Sequence, residues 1–143
     1  ASVTNTATVS GTGITPVTAA ETVNAEAAPN LAITKSVSPV PVTENGTLTY
    51  TFRIQNYGSV AATNTTGVVI TDTFAPVLSN LTAALNGTAW TAATDYTYNE
   101  ATGTFSSTAG AITVPAATYT QDSTTGAWVV TPGESTLVIT GTV

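Results

Sequence analysis

Three polar residues of this chain fall where strand alternation predicts a side chain that faces a core. Lys35, Asn5 and Asp72 each lie on the apolar parity of a segment in which apolar and hydroxylated residues alternate. Lys35 is the only lysine in the chain. The apolar residues that share these strand faces are Leu31, Ile33 and Val37 for Lys35, Val3, Ala7 and Val9 for Asn5, and Val68, Ile70 and Phe74 for Asp72. An amine, a carboxamide and a carboxylic acid directed into one core are the groups that an amide-forming crosslink requires.

The chemistry expected of these three residues is a single condensation. An apolar core favours a neutral amine over an ammonium ion and a neutral acid over a carboxylate. The Lys35 amine is then a nucleophile, while the Asp72 carboxyl polarises the Asn5 carboxamide and relays protons. The predicted product is a Lys–Asn isopeptide bond, which resembles the bonds of self-crosslinking domains in bacterial pilins and adhesins. The alternative is that Lys35 reaches solvent and forms a plain ion pair with Asp72, while Asn5 caps a turn.

Other residues are weaker candidates for the same roles. Glu21 lies on the apolar parity of the segment 17–25 and is the reserve candidate for the acid. Asn24 and Asn30 are less plausible acceptors than Asn5. The reaction would occur once in each junction, so no turnover enzyme is predicted, and neither a cofactor nor a metal site is expected.

Composition narrows the class of protein. The chain has 143 residues, two basic and eight acidic side chains, and a net charge of −6. This charge argues against nucleic acid and against an anionic membrane surface as partners. Because Cys and His are absent, a disulfide framework, a thiol site and the usual zinc ligands are excluded. No apolar run has the length of a membrane span.

Period-two segments separated by turn residues predict an all-β sandwich. Strands are expected over 3–9, 17–25, 31–37 and 67–74, with Gly11 to Gly13 and Pro16 closing the first of them. In the segment 48–54, every second residue is a large apolar one. Short strands are expected over the remaining sequence. The aromatic residues of that part are expected in a core or in cross-strand pairs rather than on a carbohydrate-binding face; they are Trp90, Tyr96, Tyr98, Phe105, Tyr119 and Trp128.

Residues 30–76 resemble the conserved-repeat domain of prokaryotic surface proteins, a domain of unknown function. The segments that carry this resemblance are 31–35 (LAITK), 46–52 (GTLTYTF), 56–58 (NYG), 62–64 (ATN) and 70–74 (ITDTF) before Pro76. The resemblance implies an immunoglobulin-like sandwich. In that family a domain commonly closes with a strand that reads NTATV. Here this string occupies residues 5–9, ahead of the domain that it is expected to finish.

This displacement implies two units, an N-terminal donor extension over 1–28 and an incomplete sandwich over 29–143. The donor strand, with Val3, Asn5, Ala7 and Val9 facing inward, would complete the sandwich of a neighbouring copy. Such contacts are head-to-tail and therefore propagate as a filament. The crosslink from Lys35 to Asn5 would then join two subunits.

The sequence therefore predicts a structural subunit of a secreted, extracellular filament or pilus whose partners are other copies of itself. A start at Ala1 rather than Met, without a signal peptide, is expected of a mature, processed product. The alternative is a binding module, an adhesin or stalk repeat excised from a tandem-repeat cell-surface protein. A return of residues 1–28 onto their own domain is less favoured because the linker 27–30 is short.

Overall fold

The structure is a computed structural model that describes residues 2–24 and 27–143. This part of the chain contains twelve strands and one short 3-10 turn, Asn64–Thr66. The strands are β1 (Ser2–Gly11), β2 (Ile14–Asn24), β3 (Leu31–Ser38), β4 (Thr47–Asn56), β5 (Thr71–Thr73), β6 (Ser79–Leu85), β7 (Thr88–Ala89), β8 (Tyr96–Asn99), β9 (Thr104–Ser107), β10 (Thr118–Gln121), β11 (Trp128–Thr131) and β12 (Gly133–Thr142). The all-β fold predicted from the alternation is confirmed.

Two antiparallel sheets form the body of the molecule. One has five strands in the order β3-β4-β12-β6-β7, and the other has three in the order β5-β9-β8. The alternation of β4 buries Leu48, Tyr50, Phe52 and Ile54 and leaves its other side chains at least partly accessible, except Asn56 at its end. Aromatic rings pack between the sheets, because the Phe74 ring lies 4.7 Å from that of Tyr50. This arrangement is compatible with a β-sandwich.

The inner face of β3 lacks a cover. Lys35 pairs with Phe52 and Ile33 with Ile54 in the β3–β4 register, so these β3 side chains lie on the same face as the buried residues of β4. This confirms the parity predicted for β3. Every residue of β3 is nevertheless exposed, and Ile33 retains 53% of its surface. The reason is that the three-stranded sheet ends at β5 and does not extend over β3.

The predicted strand 67–74 is shorter in the structure. Only Thr71–Thr73 pairs with β9. The preceding residues are held by isolated hydrogen bonds. Ser107 donates its backbone N–H to the Ile70 carbonyl (2.9 Å) and accepts the Ile70 N–H on its Oγ (2.9 Å), and Gly110 donates to the Val68 carbonyl (3.4 Å). The prediction of a strand over this whole segment was wrong because β9 ends at Ser107.

β1 and β2 form a hairpin that pairs with no other strand of the described residues. Its turn contains Gly13 with φ of +77°, the left-handed conformation that glycine adopts without strain. Pro16 lies inside β2, so the prediction that it closes the first strand segment was wrong. It is accommodated where the register is irregular between Val9 and Gly11. All side chains described in this hairpin are exposed.

β10 and β11 form a second isolated hairpin. All of its residues are exposed, including Tyr119 and Trp128. These two aromatic residues therefore lie outside the core, and each is in the other expected position, a cross-strand pair: Tyr119 with Val130 and Trp128 with Gln121. Tyr96 and Phe105 are buried as expected, with their rings stacked at 5.3 Å, and Trp90 and Tyr98 pack partly buried against the same core.

The five-stranded sheet has two ends, named the root end and the far end. At the root end, β3 begins, β4 ends at Asn56 and β12 begins at Gly133, its partner. At the far end, β3 ends at Ser38 and β12 ends beside Thr47. The segment 68–74 runs in the same direction as β3. Its first residue, Val68, lines the groove together with Leu31 and Ile33 near the root end. Its last residue, Phe74, packs on Tyr50, the register partner of Val37 toward the far end.

Candidate crosslinking site and open groove

An apolar groove lies where the two sheets separate. It has a volume of about 160 Å³ and opens to solvent between β3 and the segment before β5. The residues that line it are Leu31, Ala32, Ile33, Ile54, Val68, Val69 and Ile70. The groove exists because β3 extends beyond the edge strand of the opposite sheet, which leaves part of the sandwich interior uncovered.

Lys35 and Asp72 meet at this uncovered edge. The Lys35 Nζ donates a hydrogen bond to Asp72 Oδ2, which joins β3 to β5 across the two sheets. The other carboxylate oxygen of Asp72 accepts the backbone N–H of Thr73 at 2.9 Å. Asp72 faces inward because its register partner on β9 is the fully buried Phe105. The Lys35 side chain is 41% exposed and that of Asp72 19%.

Aromatic rings form the floor under the amine. The Lys35 Nζ lies 4.8 Å from the ring centroid of Tyr50, 5.3 Å from that of Phe74 and 5.5 Å from that of Phe52. Such distances allow cation–π attraction. The amine therefore has apolar rings below it, a carboxylate beside it and solvent above it. Any strand laid over β3 would remove that solvent and leave the amine and the carboxylate in an apolar space.

Asn5 is not brought to this pair within one chain. It lies on β1, is exposed, and has Glu21 of β2 as its register partner. Among the described residues, no hydrogen bond joins Asn5 to Lys35 or Asp72. The structure therefore places the predicted amine and acid together, and the predicted acceptor on a separate hairpin beside the reserve acid.

One face of the β1–β2 hairpin is apolar around this Asn–Glu pair. Directly opposed residues of an antiparallel pair share a face, and those on the face of Asn5 and Glu21 are Ala7 with Ala19 and Val9 with Val17. The opposite face carries threonines, including Thr4 and Thr22 with their hydroxyls 2.9 Å apart. Val3 pairs with Val23 through the backbone; the side chains of both, and that of the alternative acceptor Asn24, lie outside the described residues.

The remaining candidates have other partners. Asn30 donates its backbone N–H to Asn56 Oδ1 at 2.9 Å, at the root end. Arg53, which was not a candidate, is the other basic residue of the chain. It lies on the outer face of the five-stranded sheet, where its Nε donates a hydrogen bond to Glu134 Oε2 at 3.2 Å. The hydrogen bond from Arg53 holds the pKa of Glu134 below its usual value. Residues 2–24 and 27–143 contain no group of three acidic side chains placed to hold a metal ion.

Asn56 is fully buried, a position that was not predicted from the sequence. Its Oδ1 also accepts the Gly58 N–H at 2.9 Å, and its Nδ2 donates to the carbonyls of Val60 (2.7 Å) and Pro115 (2.9 Å). Asn56 thus ties the start of β3 to two loops of the root end. A signal was present, because Asn56 continues the inward parity of Ile54.

None of the helical segments in the described residues has the length and apolarity that a membrane span requires. Comparisons of the chain with protein-family models, with curated proteins and with solved structures find no match. The resemblance to the conserved-repeat domain thus remains a prediction.

Proposed function

We propose that this protein is the structural subunit of an extracellular filament that assembles head to tail by strand donation. The observation that carries the proposal is the coexistence of two unsatisfied surfaces in one chain. The inner face of β3 is an exposed part of a sandwich interior, and the β1–β2 hairpin has an apolar face whose described side chains are all exposed. Each surface has the shape and chemistry to bury the other, as in recognition by strand addition.

The hairpin of one subunit fits between β5 and β3 of the next. Among the strands of residues 2–24 and 27–143, β5 pairs with β9 alone, so β1 can extend the three-stranded sheet along its other edge. Antiparallel pairing with Asn5 opposite Asp72 places Ala7 opposite Ile70 and Val9 opposite Val68, all facing the groove. β2 then lies next to β1 and covers β3. The result is a completed immunoglobulin-like sandwich.

This pairing has a direction that keeps the assembly open. With β1 antiparallel to β5, Ser2 and its partner Asn24 lie at the far end of the accepting body. The same chain continues from Asn24 to Leu31, which begins β3 at the root end of the donating body. The root end of one subunit therefore meets the far end of the next. A contact between two different ends does not close on itself and repeats as a filament.

Donation also completes the crosslinking site. The hairpin brings the Asn5 carboxamide to the Lys35 amine and excludes solvent from the aromatic floor beneath it. Burial favours transfer of the ammonium proton to the Asp72 carboxylate, which gives a neutral amine and a neutral acid. The Lys35 nitrogen attacks the Asn5 carboxamide carbon, the carbon–nitrogen bond of the carboxamide breaks, and ammonia leaves. Asp72 lends its proton to the carboxamide and recovers one from the amine, so the product is one isopeptide bond and one ammonia.

A binding module on a cell surface is the second candidate function. It is favoured by the exposed aromatic residues Tyr119 and Trp128 on the β10–β11 hairpin, which could hold a ligand such as a glycan. This function leaves the apolar face of the β1–β2 hairpin and the open groove unexplained, so strand donation is preferred.

The test compares the native protein with Lys35→Arg and Lys35→Ala. After boiling in detergent, the native assembly is expected to run as a ladder of covalent multimers, with the mass of one ammonia missing for each junction. Lys35→Arg keeps the cation but removes the nucleophilic amine, so it is expected to form filaments that dissociate into full-mass monomers. Arg53→Ala, which removes the cation of the outer face, serves as the control and should keep the ladder.

Two other results would count against the proposal in different ways. If native filaments dissociated in boiling detergent into monomers of full mass, the proposed crosslink would be contradicted, but strand donation would not. If the undenatured protein were a monodisperse monomer at all concentrations tested, strand donation itself would be contradicted.

A further inference from the structure

The β10–β11 hairpin is attached at the same end of the body as the β1–β2 hairpin. Tyr57 donates its backbone N–H to the Asn30 carbonyl at 2.8 Å, just before β3. The next residue, Gly58, accepts the N–H of Ala117 at 2.9 Å, just before β10. The Tyr119 hydroxyl donates to the Tyr57 carbonyl. Both hairpins therefore start from the root end, around the buried Asn56 amide.

This second hairpin presents large apolar side chains that the described part of the chain leaves exposed. Trp128 retains 65% of its surface, and Tyr119 and Val130 also belong to the exposed large residues. Tyr119 pairs with Val130 and Gln121 with Trp128, so these four side chains share one face. The other face carries Val129 among threonines. Exposed aromatic residues grouped on one face are typical of an interaction surface.

The far end of the body carries exposed apolar residues of its own. Val40, in the turn after β3, retains 76% of its surface. Val77 is also exposed and precedes Leu78, which packs on Gly141 near the end of β12. Val40 and Val77 are thus two exposed apolar residues at the far end, opposite to the root end.

Strand donation would bring these two surfaces close together. The segment 25–30, which joins the donated hairpin to its own body, spans roughly 20 Å at most when fully extended. Part of it is already held at the root end, because Gly58 packs against the backbone of Ala28. The root end of the donor must therefore lie close to the far end of the acceptor. A strand pair of four residues reaches roughly 13 Å beyond its base.

We infer that the β10–β11 hairpin is a second, non-covalent contact of each filament junction. Its Tyr119, Trp128 and Val130 pack on Val40 and Val77 of the accepting subunit. This inference rests on the proposed function. It adds a contact that braces the junction outside the groove, so that the linker is not the sole connection that sets the angle between neighbouring bodies.

The test uses the full chain in the Lys35→Arg background, in which assembly is reversible. The quantity measured is the critical concentration, the free subunit left after filaments have been sedimented. Trp128→Ser combined with Val130→Thr is expected to raise it by about tenfold or more, as for truncation of a buried aromatic anchor. Val40→Ser on the acceptor side is expected to raise it as well. The two changes together should raise it less than the product of the separate effects, because they remove the same contact.

Val129→Thr, on the opposite face of the same strand, is the matched control and should leave the critical concentration unchanged. If every variant formed filaments with the same critical concentration as the parent, this contact would be overturned, and strand donation would be unaffected. A multiplicative effect of the two changes would equally overturn the pairing of these two patches. A parent that forms no filaments would overturn strand donation, and this contact with it.

Discussion

At the scale of single residues, the Lys35–Asp72 pair is placed where an isolated subunit gains little from it. An ion pair with this much solvent contact contributes roughly 0–1 kcal/mol to stability, and the exposed fractions of 41% and 19% belong to that class. The same pair becomes costly when it is covered, unless the charges are removed. Formation of an isopeptide bond removes the lysine charge permanently. The proposed reaction would therefore give the pair a chemical role in an assembled junction that it lacks in the free subunit.

Replacing the acid should separate assembly from crosslinking. Asp72→Asn is expected to keep the filaments but to slow formation of the isopeptide bond by a factor of roughly 10² to 10⁴, as for loss of a positioned general acid–base group. Glu21→Gln, which changes the register partner of Asn5, is the matched comparison and should keep the normal rate. The rate is followed as the growth of detergent-resistant dimer. The reverse pattern would assign the acid role to Glu21 instead.

At the scale of the strands, alternation was sufficient to locate β1, β3 and β4 within a few residues, because apolar residues recur at alternate positions along them. This held both for β4, whose apolar face is buried, and for β1 and β3, whose described side chains are exposed. The length of β5 was not predictable, since it depends on where β9 ends. The exposure of Trp128 was not predictable either, because alternation reports which residues share a face and not whether that face is covered.

The same limit applies to the candidate site. The inward parity of Lys35 and Asp72 could be read from the sequence, and it matches the registers with β4 and β9. The partial exposure of these two side chains could not be predicted from the sequence, because it arises where no described strand lies over β3. Nor could the pairing of Asn5 with Glu21, which requires the register of the hairpin.

The two faces of the β1–β2 hairpin should respond differently to charge. Ala7→Arg places a cation on the face that would enter the groove and is expected to abolish filaments, because a buried unpaired charge is costly. Thr6→Arg adds the same side chain to the adjacent position on the opposite face and should be tolerated. Sedimentation and electron microscopy of the two variants measure this difference. Equal assembly of both variants would mean that the hairpin does not use this face for binding.

At the scale of the whole molecule, the proposed assembly gives each subunit two different binding ends, a hairpin to donate and a groove to receive one. An exchange in which two subunits swap hairpins reciprocally would use the same surfaces but would stop at a closed dimer. The opposite positions of the root end and the far end favour the open arrangement, since a linker of residues 25–30 is too short to return along the body.

Two variants that each lack one end should therefore combine into a single dimer. Ala7→Arg can receive a hairpin but not donate one, whereas Ile33→Arg, changed in the groove lining, can donate but not receive. Each variant alone is expected to stay monomeric, and their mixture should give a one-to-one dimer that lacks one ammonia and resists boiling in detergent. Native protein mixed under the same conditions is the control and should continue to long multimers. Growth of the mixture beyond the dimer would show that the two ends are not the hairpin and the groove. If the native protein itself stopped at a dimer, reciprocal exchange would replace the open filament.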